Sequence, residues 1–148
     1  MTLKNTENLA LVKIKNIQTM GSEEQETELI TEGKFYRSGE KLYIFYQEEE
    51  SEETASSTVM IIIDKDKVTV SRKGDFGSKM NYKEGESEDI IYHTPYGNMV
   101  FGLKTLSLRN NMTDEGGELN IIYNLSLDGE VIGNDLSVTV KVGRDEKR

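Results

Sequence analysis

Apolar and polar residues alternate with a period of two along most of the 148-residue chain, and helical spacing is almost absent. A first strand carries Val12, Ile14, Asn16 and Gln18 on one face. A second carries Thr27, Leu29, Thr31, Gly33 and Phe35 and ends in a Ser38-Gly39 turn. Leu42, Ile44, Tyr46 and Glu48 line a third strand, which runs into an acidic loop. The fourth, Thr58 to Asp64, has the unbroken apolar centre Val59-Met60-Ile61-Ile62-Ile63 and is expected to be covered on both faces. After a tight turn at Lys65-Asp66, a fifth strand places Val68, Val70 and Arg72 together, and a sixth does so for Ser78, Met80 and Tyr82. A seventh, Ile90-Ile91-Tyr92-His93, is broken by Thr94-Pro95-Tyr96-Gly97-Asn98, since proline lacks the ladder donor. Met99, Phe101, Leu103, Thr105 and Ser107 alternate along an eighth. The ninth and tenth form the clearest hairpin: Leu119, Ile121, Tyr123, Leu125 and Leu127, then Asp128-Gly129, then Leu136, Val138, Val140 and Val142. Asp-Gly between alternating runs predicts a type I′ turn.

Ten strands with short connections predict an all-β, antiparallel, up-and-down meander. A sheet of that size closes on itself or folds into two layers, because open edges invite aggregation. A closed barrel of about eight to ten strands is the first expectation, and a two-sheet sandwich the second. The length suits a single domain spanning residues 1–148, and no linker divides it.

The run Val70, Arg72, Gly74, Met80, Tyr82, then Tyr92-His93-Thr94-Pro95-Tyr96-Gly97, with Thr105 downstream and Tyr46-Gln47-Glu48 upstream, resembles the YwiB-type family of uncharacterised proteins. The resemblance covers nearly the whole chain and implies a calycin-like (lipocalin-like) β-barrel of unknown function. The first strand has no tryptophan, so the arginine-on-tryptophan closure of lipocalins does not carry over.

Composition narrows the partners. With 18 basic against 27 acidic residues the formal charge is −9, a field that repels phosphate backbones and anionic lipid surfaces, so neither nucleic acid nor membrane is expected as a partner. The acidic runs Glu23-Glu24-Gln25-Glu26 and Glu48-Glu49-Glu50-Ser51-Glu52-Glu53 read as solvated loops. No cysteine is present, which removes disulfides, thiol catalysis and thiolate metal sites. No apolar run is long enough for a membrane helix or a secretion signal, and a cytoplasmic location is expected. A homodimer is compatible with the sequence but not specified by it.

The candidate chemistry lies in polar residues on faces that should be buried. Parity turns Asn16, Gln18, Thr27, Thr31, Glu48, Arg72 and Thr105 inward with their apolar neighbours. A charge left alone in a dry interior costs several kcal/mol, so Glu48 and Arg72 are expected to meet at one end of the barrel. Two roles fit them: a structural ion pair, or a guanidinium oriented by Glu48 and offered to an anionic or carbonyl ligand. Tyr46, Met80, Tyr82, Tyr92, Thr94, Tyr96 and Thr105 complete the candidate ligand-binding set.

Other sites find little support. His93 is the only histidine, so a zinc site lacks ligands, and Asp64 and Asp66 lack the glycine and later glutamate of a calcium loop. Gly74, Gly77 and Gly97 precede no helix that could hold a phosphate. No metal or cofactor is expected. Three functional readings stay open: a small-molecule-binding barrel, a protein-interaction or assembly module with a filled interior, and an enzyme with an acid or tyrosine in the mouth. No residue is assigned a catalytic role.

Overall fold

The computed structural model describes residues 8–49, 56–73 and 77–143. Ten strands follow one another: β1 (Asn8–Met20), β2 (Glu23–Ser38), β3 (Lys41–Glu49), β4 (Ser56–Asp64), β5 (Lys67–Lys73), β6 (Ser78–Lys83), β7 (Ser87–Thr94), β8 (Gly97–Thr113), β9 (Gly116–Leu127) and β10 (Glu130–Val142). All ladders are antiparallel, in the order β6-β5-β4-β3-β2-β1-β10-β9-β8-β7. Each strand thus lies beside its neighbours in sequence, and the first pairs with the last. The pairing of β1 with β10 is extensive, from Ala10 opposite Val142 to Thr19 opposite Gly133.

The ends of this order, β6 and β7, are consecutive in the chain but share no ladder among the described residues. A side-chain clasp joins them instead, and the turn between them is bound to β8. The Glu88 carboxylate accepts the Asn81 backbone N–H at 3.1 Å, and the Asn81 amide nitrogen lies 3.4 Å from each carboxylate oxygen. Below it, the Gly85 N–H donates to the Thr105 carbonyl at 2.8 Å, and the Thr105 N–H donates to the Glu86 carbonyl at 3.0 Å. The result is a nearly closed barrel, not a sandwich.

Alternation explains the interior. Val12, Phe35, Ile44, Val59, Ile63, Val68, Leu119, Ile121, Val138 and Val140 are fully enclosed and fill one end. At the other end the inward positions turn polar, which leaves a mouth. The β9–β10 turn has positive φ at Asp128 (52°) and Gly129 (82°), as a type I′ turn requires.

Three expectations need correction. The acidic run Glu23-Glu24-Gln25-Glu26 is not a loop: it opens β2 and pairs with Ile17–Met20 of β1. The eighth strand does not keep one parity: a bulge at Leu106 shifts the register between Thr105 and Ser107. Thr105 stays inside, but Ser107 pairs with the exposed Ile122, and Leu108 and Met112 take over the inner face. The fourth strand is covered on its inner face alone. Met60 and Ile62 are half-buried on the outer wall, opposite Phe45 and Tyr43. Its apolar run reflects this aromatic strip on the outside, where the Tyr36 and Tyr43 rings stack at 5.0 Å.

Candidate functional site

Strand length shapes the mouth. β2 pairs with β1 from Glu23 to Phe35, but with β3 only from Gly33 to Ser38. At Gly33 the chains approach so closely that a Cβ would lie 2.3 Å from the Phe45 carbonyl oxygen. Beyond that point β2 and β3 separate, and the wall between them is open among the described residues.

A cavity of about 560 Å³ lies at this end. Arg72 and Glu48 line it, with Asn16, Thr27 and the phenols of Tyr82 and Tyr123. Ile14, Leu29, Val70, Met80 and Leu136 supply the apolar surface. The Arg72 Nε donates to the Glu48 carboxylate at 3.0 Å. Both side chains keep about a quarter of their surface accessible, 27% for Arg72 and 23% for Glu48. That contact uses one of five guanidinium N–H groups, and among the described residues the two terminal nitrogens make no further hydrogen bond.

Electrostatics at the pair follow from its surroundings. Burial of the guanidinium disfavours its charge, but the Glu48 carboxylate, by charge and by hydrogen bond, raises the Arg72 pKa above its ordinary value. Arg72 is therefore a permanent cation. Tyr46 lies buried near the pair, and its pKa is pushed up to about 12. Burial is the main cause, with Arg72 pulling it down and Glu48 pushing it up. Burial likewise raises Tyr82 well above the usual phenol range, and raises Tyr123 too. The rings of these two meet edge to face at 4.8 Å, and the Tyr82 hydroxyl donates to the Met80 sulfur at 3.2 Å. All three phenols stay neutral near pH 7, so they can donate hydrogen bonds but cannot serve as ready bases.

An amide cluster continues the polar lining. The Asn16 and Gln18 side-chain amides each donate to the Asn134 side-chain oxygen at 3.1 Å, and the Asn134 amide donates to the Ile132 carbonyl at 3.2 Å. These bonds hold Asn16 at the cavity wall. Among the described residues its own side-chain oxygen, enclosed, has no hydrogen-bond donor, and the enclosed hydroxyls of Ser78 and Thr105 have no partner.

Of the nine residues expected in the site, Arg72, Glu48, Met80 and Tyr82 line the cavity. Tyr46 is buried close enough to influence Arg72, and half-buried Tyr92 also does so while packing its ring against Phe101 at 6.1 Å. Thr105 is fully buried opposite Tyr123 and belongs to the wall, not the lining. Tyr96 is corrected outright: it is 97% exposed in the β7–β8 turn, because Pro95 and Gly97 carry the chain away from the wall. The side chain of Thr94 lies outside the described residues. Tyr123, Asn134 and Leu136 complete the constellation. Asn134 shares parity with Leu136, so continuing the alternation one step toward the turn would have found it. Tyr123 was hidden by its place in an apolar series.

Comparison with known proteins agrees with this architecture. The chain is 22% identical over 117 residues to the uncharacterised β-barrel protein YwiB of Bacillus subtilis (strain 168), covering 79% of this chain and 81% of that protein. It superimposes on the crystal structure of the ywiB protein from Bacillus subtilis with a TM-score of 0.84 and 20% identity, over 93% of this chain and 94% of that one. At that identity the likeness establishes the fold alone. A family model described as a domain of unknown function (DUF1934) matches residues 12–137. That span takes in the strands that form the mouth, and the chain belongs to the DUF1934 family.

Proposed function

We propose that this protein is a binding barrel for a small amphipathic molecule, held in the mouth with an anionic or carbonyl oxygen on Arg72. The observation that carries this reading is the cavity of about 560 Å³ in which a permanently charged guanidinium faces an apolar wall. Binding sites for small molecules are commonly about 300–1,000 Å³, mostly apolar, with a few placed polar groups. Here Ile14, Leu29, Val70, Met80 and Leu136 would take the apolar body, and the terminal nitrogens of Arg72 would take the oxygen. Glu48 would hold the guanidinium in place and reduce its net attraction for anions, which favours a singly charged or carbonyl group over a phosphate. A calycin-like role and a cytoplasmic location accord with this proposal.

The test is thermal denaturation of the full chain against small carboxylates with short aliphatic or aromatic bodies, followed by calorimetry on any that respond. A ligand at 100 times its Kd stabilises the fold by about 2.7 kcal/mol, an easily read rise in Tm. At least one class should raise the Tm of the wild type and not of Arg72→Gln. A flat response across acids, esters and amides would transfer the reading to a protein-interaction module.

A further inference from the structure

We infer that the edge of β2 over Glu23–Glu32, which has no partner strand among the described residues, is a docking edge for an extended basic peptide that adds to the sheet as a strand beside the mouth. One edge of this segment is fully paired with β1, whereas pairing with β3 begins only at Gly33. Among the described residues, this ten-residue segment therefore has no ladder partner for the alternate backbone N–H and C=O groups on that edge. An edge of this length is a template for another strand, and extended peptides are recognised through such ladders.

Charge selects the partner. The segment carries five glutamates: Glu23, Glu24, Glu26, Glu28 and Glu32. Two are paired across β1, Lys13 with Glu28 at 3.3 Å and Lys15 with Glu26 at 3.5 Å. The rest leave the edge negative. A second copy of this chain pairing through the same segment would set glutamate against glutamate, so self-association is disfavoured. A strand rich in lysine or arginine is favoured. Parity defines its pattern further: alternate side chains would stand beside Glu24, Glu26, Glu28 and Glu32 on the outer wall. The intervening ones would lie beside Thr27 and Leu29, over the cavity. An alternating basic and apolar segment satisfies both faces. This inference stands on backbone pairing and does not depend on the small-molecule reading.

The experiment titrates a heptapeptide of alternating lysine and valine into the isotope-labelled full chain at low ionic strength, with a glutamate–valine peptide as control. Two further lysine–valine peptides are N-methylated at alternate backbone nitrogens, one on each parity. The expected result is slowed amide exchange within Glu23–Glu32 and affinity lost by about tenfold or more for one methylated series but not the other. Glu24→Lys combined with Glu32→Lys should weaken the parent peptide, and the glutamate–valine peptide should not bind. Absence of binding overturns the inference. So does equal binding of both methylated peptides, which would mean charge attraction without a ladder.

Discussion

The Arg72–Glu48 pair shows how far one residue can be read from a sequence. Each charge ends an apolar alternation, and burying either alone is costly, so parity together with electrostatics placed them in one enclosed space. What parity could not show is the degree of enclosure. With roughly a quarter of each side chain still accessible, the pair lies between the exposed and the dry limits. Arg72→Ala should therefore destabilise the fold by about 1–2 kcal/mol, less than the about 3–5 kcal/mol of a fully buried broken pair. Glu48→Gln should cost less, because the amide oxygen still accepts from Nε. Urea denaturation of the two variants checks the order. Equal and negligible losses would mean that water already satisfies both groups. Tyr96 fails for the opposite reason: a turn has no parity, so its side chain could not be placed by alternation.

At the scale of elements, alternation is reliable until the chain departs from a regular strand. The bulge at Leu106 reverses the faces of the second half of β8, and its trace in the sequence is the change of phase from Phe101 and Leu103 to Leu106, Leu108 and Met112. The β6–β7 seam is a second departure. A tight sequence neighbour normally pairs by backbone, yet here the Glu88 carboxylate receives the Asn81 N–H in place of a ladder carbonyl. Glu88→Ala leaves that donor without its acceptor and removes the link between the two strands. A loss of about 1–3 kcal/mol is expected. Amide exchange should speed up in β6 and β7 before it does in β1 and β10, whose long ladder is unaffected. Uniform acceleration across the barrel would show that the seam is not a separate weak element. At Gly33, where β2 leaves β3, Gly33→Ala places a methyl against the Phe45 carbonyl, and a loss above about 2 kcal/mol is expected from the same denaturation experiment.

The whole molecule divides into a packed end and a polar end, and the division governs its response to pH. Burial places the phenols of Tyr46, Tyr82 and Tyr123 around the base of the mouth, each with a pKa above that of the unfolded chain. Such a group contributes its full stability below about pH 10, where both states hold the proton. Above that, the unfolded chain releases protons that the folded chain keeps, so stability falls as pH rises. For Tyr46 the loss runs from about pH 10 until its folded value of about 12 is reached. The slope is about 1.4 kcal/mol per pH unit for each phenol in its window. Urea denaturation from about pH 9 to about pH 11.5 should therefore show steepening loss in the wild type and a shallower one in Tyr46→Phe. An unchanged slope in that variant would mean that the Tyr46 hydroxyl reaches water, and the mouth would then be wider than the lining residues make it.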